Sequence, residues 1–136
     1  MSSRIAATAV AIAAVSLAAA TSATGAPTAD QHVRVISSCI KATYQPKSYI
    51  FFCADGGAGL KHATYDWWTA KTAHGTATYF FNDCEPSCVA GTVHEQAAEF
   101  TAYRVRDTLK QGPLFTRIAV DTRRGHHVFE MTTRPY

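Results

Sequence analysis

The sequence predicts an all-β protein: a small antiparallel β-sandwich or barrel of about six to eight short strands, held by two disulfides. Short segments rich in Val, Ile, Tyr, Phe, Thr and Trp alternate with turns of Gly, Pro, Asn and Asp. Beyond residue 26, apolar residues nowhere recur at helical spacing over three turns. Four cysteines lie in a chain of 136 residues whose beginning resembles an export signal.

The first 26 residues have the anatomy of a cleaved signal peptide. Arg4 supplies a positive charge, residues 5–20 form an apolar run, and small residues follow it before Pro27. No other apolar stretch approaches the ~20 residues that cross a bilayer. We therefore expect a secreted, extracellular protein with no membrane segment after signal cleavage.

Removal of the signal leaves 110 of the 136 residues, enough for one compact domain and too few for two. Residues 27–32 are predicted to be a flexible leader, and residues 33–136 a single disulfide-stapled β domain. Without the signal's Arg4, 12 of the 13 Lys and Arg residues remain, against 10 Asp and Glu. This mild excess lacks the clustered basic face of a nucleic-acid-binding protein, so no nucleic-acid partner is expected.

The predicted strands follow one another with turns between them. In order, they are residues 33–42, 49–53, 61–69, 74–82, 98–109, 114–122 and 126–133. The fourth and sixth alternate side chains at period two, as strands with one buried face do. Paired glycines at 56 and 57 supply the positive φ values of a turn. Residues 93–98 are the one stretch predicted to hold a helical turn.

The cysteines are predicted to pair as Cys39–Cys53 and Cys84–Cys88. An even number of cysteines in a small exported chain normally forms disulfides. Three pairings are possible, and local geometry favours this one. The first two cysteines lie symmetrically about Pro46. The Cα atoms of opposed residues in such a hairpin are about 4.5–5.5 Å apart, which is within the range that a disulfide spans. The other two close a small ring around a proline.

A zinc site is the alternative use of the cysteines. Four thiolates, or two thiolates with His74 and His94, would supply tetrahedral ligands. The Cys-x3-Cys pair has no second pair at matching spacing, and export exposes thiols to oxidation. We therefore expect crosslinks, no metal and no cofactor.

Several motifs along the chain occur together in one known family. They are Cys53-Ala54-Asp55-Gly56, Tyr65 with Trp68, Gly75, the run Asn82-Asp83-Cys84-Glu85-Pro86-Ser87-Cys88-Val89-Ala90-Gly91, and Phe115-Thr116. Together they resemble a family of small secreted proteins of actinomycete-type bacteria, over roughly residues 36 to 121. Tyr65 stands where that family typically has Trp. The resemblance implies secretion, two disulfides and a β-rich fold, and it carries no known activity.

Trp67 and Trp68, together with Tyr65, are the candidate ligand-binding residues. Neighbouring side chains on a strand point to opposite faces, so one indole is expected in the core and the other in solvent. Regular alternation groups Tyr65 with Trp67 and leaves Trp68 with Asp66. An exposed Trp offers a flat apolar plate for a sugar ring or a protein partner. The competing interpretation is that the second indole packs under a loop or an edge strand.

Residues for acid–base chemistry are present without a diagnostic spacing. A carboxylate pair for glycoside hydrolysis could come from four residues: Asp55, Asp66, Asp83 and Glu85. Asp55 and Asp83 sit in turns, where an Asp that hydrogen-bonds its own backbone is the simpler explanation. A ribonuclease would need a base, a phosphate-holding arginine and an acid, for which the candidates are Glu95 or Glu99, Arg104 or Arg106, and His126 or His127. Arg117, Arg123 and Arg124 are interpreted as a solvated turn. No catalytic residue is assigned.

The leading hypothesis is a non-catalytic extracellular binding module, monomeric, for a cell-envelope polysaccharide or a secreted protein ligand. Its basis is a stapled β scaffold with a Trp pair and no convincing catalytic set. The alternative is a proteinaceous inhibitor of an extracellular enzyme, with the Cys84–Cys88 loop as its tip, because a pinned loop is pre-organised for binding. A small secreted ribonuclease-like hydrolase ranks third.

Overall fold

The structure, a computed structural model, describes residues 32–134. The predicted signal peptide, residues 1–26, and all of the predicted leader except His32 lie outside the described residues. Eight strands and no helix are assigned in the described part: β1 (Val35–Ile36), β2 (Ala42–Thr43), β3 (Tyr49–Ile50), β4 (Ala58–Trp68), β5 (Ala73–Asn82), β6 (Val93–Thr108), β7 (Gly112–Thr122) and β8 (Gly125–Glu130). Within residues 32–134, no helix has the length and apolarity needed to cross a membrane.

The strands β3 to β8 form one antiparallel sheet in sequence order, each hydrogen-bonded to the next along the chain. This sheet curves into a half-barrel of six strands. A two-stranded ladder of β1 and β2 joins it through a parallel bridge between Arg34 and Leu114. The predicted all-β antiparallel fold with two disulfides is therefore confirmed.

The core lies on the inner face of the sheet and is built largely from aromatic rings. Phe100 on β6 is fully buried, and its ring centroid lies 5.7 Å from that of Tyr49 and 5.6 Å from that of Tyr65. The Tyr65 hydroxyl donates to the carbonyl of Pro46 at 2.6 Å. Because that donation uses its one proton, the Tyr49 hydroxyl must be the donor in the 2.8 Å bond between the two tyrosines. Burial raises the pKa of both phenols.

The strand β4 is irregular where it carries the tryptophans. Its register with β5 shifts between Tyr65 and Trp67, leaving Asp66 as an extra residue. One extra residue reverses the alternation, so Tyr65 and Trp68 both pack against the core and Trp67 faces outward. The predicted grouping of Tyr65 with Trp67 is therefore wrong. The expectation that one indole is exposed and the other packed is confirmed.

Two further sequence expectations are corrected. Residues 93–98, predicted to hold a helical turn, are extended and pair with β5, from Val93 opposite Asn82 to Ala98 opposite Ala77. Pairing along the whole length of β5 satisfies the backbone groups that a helical turn would have used. The predicted first strand, residues 33–42, is instead two dipeptide strands separated by a loop in which Cys39 has a φ of 63°.

Both predicted disulfides form. Cys39 and Cys53 lie in loops with their Cα atoms 5.7 Å apart, and their bridge ties the β1–β2 ladder to the end of β3. Cys84 and Cys88 close the loop between β5 and β6. Among residues 32–134, no group of three or more His, Cys, Asp or Glu side chains is arranged to hold a metal ion.

Candidate functional site

The outer face of the sheet, which points away from the core, carries a row of five aligned residues. Cross-strand register places one residue from each of β4 to β8 side by side: Trp67, His74, Thr101, Ala119 and Val128. We call this set the Trp67 row. Four interstrand spacings make it about 19 Å long. Its two ends, Trp67 and Val128, are exposed, and between His74 and Val128 the row carries the small side chains of Thr101 and Ala119.

Trp67 is held in one orientation by its neighbours. Its indole lies parallel to the His74 imidazole, with ring centroids 4.4 Å apart and planes 12° apart. Its Nε1 donates to the Thr72 hydroxyl at 3.4 Å. His74 Nδ1 in turn lies 3.0 Å from a carboxylate oxygen of Asp66. The imidazole supports one side of the indole, and 48% of the Trp67 surface remains accessible to solvent.

The other two predicted ligand-binding residues, Tyr65 and Trp68, are occupied within the protein. The Trp68 Nε1 donates to the Val33 carbonyl at 2.7 Å. Its ring makes edge contacts with Tyr65 at 5.1 Å and Phe115 at 5.4 Å. The structure therefore separates the three residues, placing Trp67 on the outer face and the other two against the core. The sequence analysis considered His74 only as a zinc ligand and missed its pairing with Trp67, although a tight hairpin at residues 69–72 would have placed the two residues opposite each other.

Beside the Trp67 row lies a cleft of about 470 Å³ lined by four arginines. They come from β6, β7 and the chain after β8: Arg104, Arg106, Arg117 and Arg134. We call this the arginine cleft. Among the described residues that line it, the one acidic side chain is Glu130, which pairs with Arg117 at 2.7 Å. The sequence assignment of Arg117 to a solvated turn is wrong, because Arg117 lies within β7 and only Arg123 and Arg124 occupy the turn.

The Cys84–Cys88 loop is fastened by the residues of the cysteine motif. The Asn82 side chain accepts from Cys84 N–H at 3.0 Å and donates to the Cys88 carbonyl at 2.8 Å. A Cβ on Gly91 would lie 2.2 Å from Asn82 Oδ1, so only glycine fits there. The motif residues therefore form and rigidify a loop.

Asp83 anchors the same loop through three hydrogen bonds. One oxygen accepts from the backbone N–H groups of Thr92 and Glu85, and the other lies 2.8 Å from His94 Nε2. The hydrogen bond with His94, followed by the two backbone bonds, lowers the pKa of Asp83 to about 2. This carboxylate therefore stays ionised and serves the structure of the loop.

The remaining carboxylates take local roles. Asp55 accepts from the Gly57 N–H at 2.9 Å, the turn bond expected from sequence. Asp66 supports His74, and Glu85 lies exposed in the cysteine loop. Glu95 pairs with Lys61 at 2.6 Å.

The ribonuclease candidates do not converge in one cleft. Glu99 and His126 lie in the same cross-strand row with Asp121 between them, and His126 Nδ1 is 2.6 Å from the Asp121 carboxylate. His127 instead lies on the inner face beside Tyr79, with ring centroids 5.5 Å apart. Arg106 is seven residues, or about 23 Å, from Glu99 along β6. That separation is too long for a base and a phosphate-holding group to act on one bond.

No protein-family model matches the sequence, and neither a curated protein nor a solved structure is significantly similar to it. The resemblance to the secreted actinomycete-type family stays a prediction. The geometry of the outer face is the remaining guide to function.

Proposed function

We propose that this protein is a secreted, non-catalytic binding module that holds a cell-envelope polysaccharide on the outer face of its sheet. The observation that carries this proposal is the Trp67 indole, half exposed and held parallel to the His74 ring at the head of a flat row. An aromatic ring presents an apolar plate with little rotamer freedom, so little conformational entropy is lost when a sugar ring stacks on it.

Two further features support the proposal. Two disulfides are typical of proteins from oxidising compartments, in agreement with the signal-like first 26 residues. Glu99 and His126 share a row with Asp121, but the candidate Arg106 lies about 23 Å away from Glu99 along β6, as expected for a surface that binds without reacting.

The test is retention on insoluble polysaccharides and purified cell walls. We expect Trp67→Ala to reduce retention about tenfold or more, because central aromatic residues carry a large share of binding energy. Leu109→Ala is the matched control, since this exposed apolar side chain lies in the β6–β7 turn away from the Trp67 row. Equal retention of the wild type and both variants on every material would contradict the proposal.

A second candidate function is inhibition of an extracellular enzyme by the Cys84–Cys88 loop. Its support is the combination of full exposure at Val89 with a backbone fixed by the disulfide and by Asn82 and Asp83. Such a loop loses little conformational entropy on binding. We expect stoichiometric inhibition of one enzyme in a panel of secreted proteases and glycosidases, lost when Cys84 and Cys88 are both changed to Ala. An absence of inhibition across the panel counts against it.

A further inference from the structure

We propose that the arginine cleft binds sulfate or phosphate groups of an anionic polysaccharide whose sugar rings lie across the Trp67 row. This inference rests on the proposed function and deepens it, because it names the charge of the polymer and a second contact site.

The cleft and the Trp67 row form one continuous surface. Arg117 lies two residues from Ala119 on β7, on the same face, which corresponds to about 7 Å. Trp67 lies three strands away from β7, or about 14 Å across the sheet. A single extended polymer can therefore place a ring on the open face of Trp67, the one that His74 does not cover, and reach the arginines with a charged group by passing over the His74 ring.

A local reversal of side-chain alternation creates the cleft. Phe100 and Ala102 on β6 point into the core, so regular alternation would send Arg104 and Arg106 inward as well. Arg104 instead has a φ of 59°, and Val105 takes the inward position against the core. The Thr116 hydroxyl holds this conformation by donating to the Arg104 carbonyl at 2.8 Å. Strained backbone of this kind in a non-glycine residue is enriched at functional sites.

The charge in the cleft is largely uncompensated. In the part of the chain that the structure describes, no carboxylate lies within ion-pairing distance of Arg104, Arg106 or Arg134, and Glu130 is already paired with Arg117. Guanidinium groups remain protonated at all physiological pH values and bind oxyanions through paired N–H donors. A concave site with one sign of charge concentrates anions of the opposite sign.

A polysaccharide fits this surface better than a single-stranded nucleic acid does. Proteins that bind single strands stack successive bases on several exposed aromatic rings along a basic groove. On the outer face, among residues 32–134, Trp67 is the one large aromatic residue that is exposed, whereas Phe80 and Tyr103 are partly buried. Beyond Trp67 and His74 the row consists of Thr101, Ala119 and Val128, which suit the apolar face of a sugar chain.

The experiment measures binding of the full mature protein to three forms of one polysaccharide: dextran, dextran sulfate and dextran phosphate. We expect at least one charged form to bind about tenfold or more tightly than dextran, with affinity falling as salt rises. The double variant Arg104→Gln/Arg106→Gln should remove that gain. The matched control, Lys110→Gln/Arg124→Gln, removes two exposed charges elsewhere and should retain it.

The outcomes separate this inference from the proposed function. An equal loss of charged-form binding in both double variants, or no preference for a charged form over dextran, overturns the arginine cleft as an anion-binding site. Retention on cell walls that depends on Trp67 but not on the arginines leaves the proposed function standing and overturns the inference. Binding of a charged form that needs the arginines but not Trp67 supports the arginine cleft as an anion site and overturns the placement of sugar rings across the Trp67 row. Arginine-dependent binding of single-stranded RNA, without binding of any polysaccharide, overturns the polysaccharide as occupant.

Discussion

The Trp67 indole and the His74 imidazole lie parallel with their centroids 4.4 Å apart, on opposite strands of the β4–β5 hairpin. The carboxylate that contacts His74 belongs to Asp66, the extra residue of the β4 bulge. One irregularity in the strand therefore turns Trp67 to the outside and also supplies the group that holds its supporting ring.

Substitution of His74 by Ala tests that support. Ring–ring contact contributes about 0.5–1.5 kcal/mol, so we expect His74→Ala to weaken polysaccharide retention about two- to tenfold. The free energy of unfolding should fall by no more than about 1.5 kcal/mol, because the same partly exposed contact is lost from the folded protein. Retention assays and urea unfolding measure the two effects. Unchanged retention would show that Trp67 needs no support from His74.

Tyr65→Phe tests the assignment of Tyr65 to the core. The change leaves the Pro46 carbonyl and the Tyr49 hydroxyl without their partner, which should lower the free energy of unfolding by about 1–3 kcal/mol. Polysaccharide retention by the folded variant should equal that of the wild type. The control is Tyr44→Phe, since Tyr44 is exposed. A loss of retention without a loss of stability would return Tyr65 to the ligand-binding surface.

Asp83 gives stability a specific dependence on pH. Its folded pKa, about 2, lies below the unfolded value of about 3.9, so its contribution is complete above about pH 5 and is lost progressively as pH falls through the folded pKa toward about pH 1. We expect Asp83→Asn to be less stable than the wild type at pH 7, with the difference shrinking between pH 4 and pH 2. Thermal unfolding across this range measures it, and Glu85→Gln controls for removal of one negative charge from the same loop. A difference that is constant with pH would argue against this role.

Gly91→Ala tests the fit of the cysteine loop. The new Cβ would lie 2.2 Å from Asn82 Oδ1 and 2.8 Å from the Cys84 nitrogen, so the loop must shift. Overpacking of this kind typically lowers the free energy of unfolding by about 1–3 kcal/mol. Ala90→Ser, at an exposed neighbour, should change stability by less than about 0.5 kcal/mol. Equal stability of Gly91→Ala and wild type in urea unfolding would mean that the loop adapts freely.

Features that depend on near neighbours in sequence were predictable. The Cys39–Cys53 pairing followed from symmetry about Pro46, and the Asp55 turn from its two glycines. The candidate site was harder to predict from the sequence. Its two parts, the Trp67 row and the arginine cleft, both depend on local reversals of side-chain alternation along a strand. The bulge at Asp66 forms where β4 meets β5, with the Thr64 carbonyl only 1.8 Å from where a Cβ of Gly75 would lie. That close approach cannot be deduced from period-two patterning.

By itself, the sequence determined the all-β class, the approximate positions of most of the longer strands along the chain, both crosslinks and the exposure of one tryptophan of the pair. These properties follow from local backbone preferences, turn residues and short covalent loops, which act over a few residues. Only the tertiary structure decided which tryptophan faces outward and that Arg104 and Arg106 meet Arg117 and Arg134 in one cleft. Strand register sets those positions, and register depends on hydrogen bonds and packing between residues far apart in the chain.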